Sequence, residues 1–294
     1  MKKDKANIGI NIFFVIFSMM FIIPFLLILA VSFTSESAIA EYGYSLFPKE
    51  WSLEAYKYVF SNPTRILNSY KTTIIFTVIA TVGGVLVMAL IAYPLSRDYY
   101  VLRRPITFII FFTMLFSGGL VPSYMLITKT LKLGNNILVY ILPSLANAWH
   151  IVIIRTFFQG IPKELVESAK IDGARELRIF FGIIIPLSKP VLATIAMLTM
   201  VGKWNDWMHS MLYITDPELY SLQYLLQKIL RETEFIKSMA SEMQVSVYDD
   251  MSKNLPDETM RFAMAVIAAG PMLVVFPFFQ KYFVKGLTVG SVKG

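Results

Sequence analysis

The chain reads as an all-α integral membrane protein with six transmembrane helices and both termini in the cytoplasm. Three features carry that reading. Of 294 residues, 56% are hydrophobic and only 16% are charged, against about 25% charged in a soluble domain, and the mean hydropathy is +0.60. Uncharged runs long enough to cross a bilayer recur along the chain. Basic residues crowd into alternate connecting segments.

A bilayer core of about 30 Å needs roughly 20 helical residues. The first such run, Ala6–Ser35, follows three lysines and so imitates a signal peptide. Signal cores span only about 7–15 residues, so an uncleaved first span is predicted. Residues 36–71 follow, with Tyr42, Tyr44, Trp51, Tyr56 and Tyr58 suggesting a small folded cap near the interface. Spans two to four are Thr72–Ser96, Pro105–Thr128 and Leu133–Ile154. Within the second and third, Gly83-Gly84 and Gly118-Gly119 suit close packing or a bend and carry no chemistry. The run Pro190–Gly202 is too short to span as it stands, so span five must continue through Lys203 and Asp206. The segment 215–258 then places Leu219, Leu222, Leu225, Leu226, Ile229 and Leu230 at helical spacing. Asp257 suits an N-cap ahead of span six, Phe262–Gln280, and a tail of residues 281–294 closes the chain.

With six spans, 15 of the 27 basic residues fall on the side of the termini and 14 of the 20 acidic residues on the other. The positive-inside rule makes the basic side cytoplasmic. The net charge of +7 therefore reports membrane orientation and lipid as the neighbouring phase, not nucleic acid. The absence of cysteine removes disulfides, thiolate metal sites and cysteine nucleophiles, and two histidines, His150 and His209, argue against a histidine metal centre. Neither H-E-x-x-H nor G-x-S-x-G occurs, so a membrane-embedded hydrolase lacks its usual parts. No G-x-x-x-x-G-K-[ST] loop occurs either, so the chain is no ATPase by itself. Spans one to four hold no ionisable residue deep in the membrane to drive a stand-alone, ion-coupled transporter.

The cytoplasmic segment 155–188 is patterned too regularly for a tether. Pro162 can open a helix over Lys163–Ala174, in which Leu165, Val166, Ala169 and Ile171 alternate with charged residues. Gly173 can end it and Arg175–Phe181 can begin a second helix. The pattern alone is met equally by an amphipathic connector resting on lipid headgroups.

The spacing within this segment goes further. Glu167-Ser168-Ala169, three residues, Gly173, nine residues and Ile183-x-Ile185-Pro186 resemble the EAA loop of ABC importer permeases, with Ser168 and Ile185 standing where that pattern has alanine and leucine. The surrounding Ala169-x-Ile171-Asp172-Gly173-Ala174 is also typical. Trp204-Asn205 and the tail from Gln280 through Lys281-Tyr282-Phe283 to Gly294 resemble the maltose-permease-like carbohydrate branch, nearest to permeases for oligosaccharides or polysaccharide fragments. The resemblance covers about residues 66–294, with a shared core of about 66–282. It implies the type I ABC importer permease architecture as a single permease domain over 1–294. It also implies a partner set: a second homologous permease, two ATP-binding subunits that hold ATP and Mg, and an extracytoplasmic sugar-binding protein. No cofactor is expected in this chain. In the implied mechanism Glu167 meets a basic residue of the ATPase, Ala169 permits close approach, Gly173 permits the turn, and the tail adds a second ATPase contact. The segment 215–258 is the candidate for meeting the binding protein.

Trp204, Asn205, Asp206 and Trp207, with Lys203 and His209 beside them, fall in the outer half of span five. Ionisable groups at that depth usually face a cavity. Aromatic faces and amide or carboxylate hydrogen bonds are what a sugar needs. An aromatic belt with Lys203 snorkelling is the alternative reading. His150 reads as a helix-end residue, and a permease for a non-sugar solute has the same coupling loop.

Overall fold

A computed structural model describes residues 2–243 and 258–291. The described residues are helical almost throughout, with one isolated antiparallel bridge between Thr34 and Trp51. In chain order the helices are α1 (Lys2–Ser32), α2 (Glu36–Tyr42), α3 (Glu54–Val59), α4 (Pro63–Leu95), α5 (Arg103–Leu115), α6 (Leu120–Met125), α7 (Leu138–Ile141), α8 (Ala148–Gln159), α9 (Lys163–Ile171), α10 (Glu176–Ile179), α11 (Ile185–Leu187), α12 (Lys189–Trp204), α13 (Met208–Tyr213), α14 (Leu222–Met243) and α15 (Glu258–Ser291). Long helices are what lipid demands, since each backbone N–H and C=O must find its partner within the segment.

Three helical stretches are long and apolar enough to cross a membrane unbroken: Ile10–Ser32, Pro63–Leu95 and Glu258–Phe278. The other three apolar runs are broken rather than straight. Arg103–Leu115 meets Leu120–Thr130 at 115°, Leu138–Ser144 meets Ala148–Gln159 at 44°, and Glu176–Leu187 meets Lys189–Trp204 at 80°. The causes are local. Gly119 takes φ +86, a left-handed conformation open to glycine, after Phe116 has turned extended. Asn147 is extended ahead of α8 and caps it, its side chain accepting from the His150 N–H. Pro190 stands in the first turn of α12, where its missing N–H costs nothing.

The chain forms two compact units, residues 1–66 with 225–271 and residues 67–224 with 272–294. In the first, α1 is exposed on every side from residue 10 to residue 26, as expected of an apolar helix surrounded by lipid or another membrane chain. The 36–71 segment folds on local contacts: Ser32 Oγ and Tyr56 OH lie 2.9 Å apart, and the Phe33 and Tyr56 rings stack at 4.9 Å. The Glu36 carboxylate accepts from the Glu258 N–H at 3.0 Å, the Thr259 N–H at 3.1 Å and the Thr259 hydroxyl at 2.9 Å. A carboxylate at the first turn satisfies free N–H groups and complements the helix dipole, so Glu36 does for α15 what the sequence assigned to Asp257. Asp257 lies outside the described residues, as do 244–256 of the 215–258 segment and 292–294 of the tail.

In the second unit, α4 supplies the small buried residues Ala89 and Ala92, against which Ile151, Ile154 and Phe158 of α8 pack. A Cβ on Gly83 would meet Leu145 Cδ2 at 3.3 Å, and one on Gly84 the Ser144 carbonyl at 3.2 Å. The pair therefore lets a backbone approach α4 closely, which is how helices associate where no water is present to drive them together. Fully buried Phe76 stacks on fully buried Tyr140 at 4.3 Å. The Tyr140 hydroxyl donates to the Leu219 carbonyl at 2.9 Å and pairs with Ser210 Oγ at 2.7 Å.

Candidate functional site

Helix α9 begins after Pro162 and stops at Ile171, earlier than the predicted Ala174. The stop is a backbone event: Gly173 adopts φ +76, and the Ala174 N–H turns back to the Ala169 carbonyl at 2.9 Å. The second helix is also shorter than Arg175–Phe181. It runs Glu176–Ile179 and passes into a wider π turn over Phe180–Ile184 before Pro186. Val166, Ile179 and Phe180 are buried and anchor the segment, with Ala169 and Ile183 packed beside them. Glu167, Ser168, Asp172, Gly173 and Pro186 are exposed. So too are two large apolar side chains that a solvated connector has no use for, Ile171 at 86% and Leu177 at 65%.

Polar contacts that the sequence gave no means of locating pin this segment. The Glu176 carboxylate accepts from Tyr93 OH at 2.7 Å and from Tyr99 OH at 3.0 Å, and pairs with Lys170 at 2.8 Å. The Lys170 ammonium also sits 3.6 Å from the Tyr99 ring centre. Asp98 pairs with both Lys163 and Arg103. The hydrogen bond from Lys163 foremost, then that from Arg103, holds the Asp98 carboxyl below the usual carboxylate range. Arg97 is buried, lies 5.1 Å from the Tyr93 ring centre and donates to the Phe158 carbonyl at 3.4 Å. The turn after α4 and the 163–179 segment are thereby one body, with Glu167 and Ile171 on its free side.

The end of α12 builds a second feature. Lys203 is buried; its ammonium donates to the Tyr140 carbonyl at 3.2 Å and to Asp206 Oδ2 at 2.9 Å. Asp206 also lies 2.9 Å from His209 Nδ1 and accepts from the His209 N–H at 3.2 Å. Buried charges persist only when paired and hydrogen-bonded. Lys203, Asp206 and His209 therefore form a fixed triplet, and the snorkelling lysine of the alternative reading is ruled out.

The triplet borders a cavity of about 370 Å3, lined also by Ser144, Asn147, His150, Asn205 and Trp207. Ligand pockets run from roughly 300 to 1,000 Å3. Three of the four residues expected there, Asn205, Asp206 and Trp207, line it. Trp204 does not: it is buried, with its ring 6.4 Å from Tyr70. The helix ends at Trp204, so helical spacing no longer relates the two tryptophans. His150 is the opposite case. It stands in the first turn of α8, at a helix end as expected, but it also lines the cavity and has a buried Nδ1 with no hydrogen-bond partner. Among the described residues no cluster of three or more metal-ligating side chains occurs.

The chain belongs to the family of binding-protein-dependent transport system inner membrane components, whose pattern matches residues 100–289. It is a multi-pass inner-membrane protein of that family, which is a permease component and not an ATPase. It is 42% identical over 273 residues to Protein LplC of Bacillus subtilis, covering 93% of this chain and 90% of that one. It is 39% identical over 294 residues to the polygalacturonan/rhamnogalacturonan transport system permease protein YtcP of the same organism, covering both chains completely. Among solved structures it resembles a bacterial ABC transporter involved in the import of the acidic polysaccharide alginate, with 30% identity, a TM-score of 0.77, and 94% and 96% of the two chains covered.

Proposed function

We propose that this chain is the permease subunit of an ATP-driven importer for oligosaccharides or polysaccharide fragments handed over by an extracytoplasmic binding protein. It pairs with a second, homologous permease and with two ATP-binding subunits, where ATP and Mg are held. The chain acts as one permease domain of six spans with cytoplasmic termini, three of its spans bent. The observation that carries the coupling role is the pinned 163–179 segment with Glu167, Ile171 and Leu177 on its free side. A carboxylate beside exposed apolar residues suits a groove in a partner that offers a cation and an apolar floor. Closure of the ATPase pair displaces a rigid body, and the anchors Val166, Ile179 and Phe180 pass the displacement to α4 and α8.

The relatives named for polygalacturonan/rhamnogalacturonan and alginate support a saccharide as cargo. In the cavity at α12, Trp207 offers an aromatic face and Asn205 a hydrogen-bonding amide to sugar hydroxyls, while Asp206, held by Lys203 and His209, fixes the wall beside them. The segment 215–258 is the surface we assign to the binding protein, and 281–294 to a second contact with the ATPases.

The test is ATP hydrolysis by the full assembly in lipid nanodiscs, with a panel of neutral and uronate oligosaccharides and the loaded binding protein, comparing wild type with Glu167→Lys. Saccharide-stimulated hydrolysis should fall at least tenfold in the variant, about 1.4 kcal/mol of coupling, with assembly intact. Stimulation by a non-sugar solute alone would remove the saccharide assignment and keep the importer. Failure of any ATPase to associate would remove both.

A further inference from the structure

The second unit holds an open cavity of about 860 Å3 that is separate from the α12 cavity and shares Asp98 and Arg103 with the contacts that pin the coupling segment. It lies where the turn after α4, the first turns of α5 and the end of α8 come together. Its polar lining is Tyr100, Arg103, Arg104, Thr107 and Arg155, with Asp98. Three guanidinium groups thus face one carboxylate, which Arg103 and Lys163 already share. Arg155 donates through Nε to the Leu95 carbonyl at 3.0 Å. Neither Arg155 nor Arg104 has a carboxylate partner among the described residues. Thr107 Oγ1 is buried without any hydrogen-bond partner.

The remaining wall is apolar. Phe108 is 70% and Phe111 41% exposed, and α5 buries none of its residues. Arg104, Thr107, Phe108 and Phe111 stand at i, i+3, i+4 and i+7, on one face of α5. A cationic patch at the helix start therefore continues directly into an apolar stripe.

We propose that this cavity binds the phosphate of an anionic phospholipid, with an acyl chain lying along Phe108 and Phe111. Guanidinium groups match phosphate oxygens with paired hydrogen bonds. A free inorganic anion leaves the apolar stripe unused, and a zwitterionic lipid leaves the excess positive charge uncompensated. An amphiphile with an anionic head satisfies both walls, as basic pockets at the ends of membrane helices do for anionic headgroups. The site rests on the membrane placement of the chain and is independent of what the importer carries.

The experiment is native mass spectrometry of the detergent-purified assembly titrated with dioleoylphosphatidylglycerol, dioleoylphosphatidylcholine or inorganic phosphate. Arg104→Gln is the main variant, because Arg104 is exposed and its loss leaves the packing of α5 alone. Arg155 stays intact because its bond to Leu95 also ties α8 to α4. Phosphatidylglycerol should be retained over phosphatidylcholine, and Arg104→Gln should weaken it about fivefold. Phe108→Ser should weaken phosphatidylglycerol while leaving inorganic phosphate unaffected. Equal retention of the two lipids would overturn the proposal. So would phosphate that displaces phosphatidylglycerol from wild type, which marks a free-anion site. Release of the second permease by Arg104→Gln with lipid retention unchanged would reassign the surface to a protein interface.

Discussion

Glu176 shows how far a single residue's role can lie from its appearance in sequence. It stands in a run of charged residues, and charge there reads as solvated surface. In the fold its carboxylate collects Tyr93, Tyr99 and Lys170 and so joins the end of α4 to the coupling segment. The tyrosines were equally opaque, because aromatics at a span end usually mark the interface. Hydrogen bonds to a charged group contribute roughly 1.5–3 kcal/mol each when buried, and less here because the Glu176 side chain is 49% exposed. Glu176→Leu removes every acceptor at once, whereas Glu176→Gln keeps one oxygen for a tyrosine. We expect Glu176→Leu to raise amide exchange across 163–179 by about tenfold and to leave basal ATP hydrolysis while abolishing its stimulation by cargo. The glutamine variant should fall between. Unchanged exchange in Glu176→Leu would show that the apolar anchors alone hold the segment.

At the scale of elements, the sequence disclosed what depends on glycine and proline and little else. Gly118-Gly119 announced the break between α5 and α6, Pro190 the start of α12, and Gly173 the turn after α9. The π turn at Phe180–Ile184 holds Gly182 and precedes Pro186, but neither residue distinguishes a π turn from an ordinary helix end. The ends of α9 and α12 were misjudged for a related reason: a hydrophobic period persists beyond the last helical hydrogen bond. Gly173 makes the turn argument quantitative. Nothing lies within 4 Å of a Cβ built there, so a side chain meets no neighbour and its cost is that of the left-handed backbone, about 1–2 kcal/mol. Gly173→Ala should therefore lower the melting temperature of the assembly and weaken coupling. Gly173→Asn, which tolerates that conformation better, should recover part of both. Equal loss in the two variants would point to a partner that fills the space beside Gly173.

At the scale of the whole molecule, orientation is carried by charge and not by packing. Apolar helices fit a bilayer equally well either way up, whereas 15 of the 27 basic residues lie in the segments assigned inside, and the proposed sense of insertion rests on that imbalance. Apolar length marks where helices can cross, and three of them cross unbroken, whereas the breaks that turn the other three runs into bent pairs follow from local glycine, asparagine and proline geometry that hydropathy does not encode. The natural absence of cysteine makes the orientation directly measurable, since each introduced thiol is the only one on the chain. Ser61→Cys in the 36–71 segment and Arg231→Cys in α14 place a thiol at exposed positions assigned outside, and Arg175→Cys places one at an exposed position assigned inside. A membrane-impermeant maleimide applied to intact cells should label the first two at once and Arg175→Cys only after permeabilisation. Labelling of Arg175→Cys in intact cells would invert the topology and, with it, the side on which the coupling segment meets its ATPase. Labelling of Ser61→Cys without Arg231→Cys would place the two outer segments on opposite faces, which an odd number of crossings between α3 and α14 requires and the six-span reading forbids.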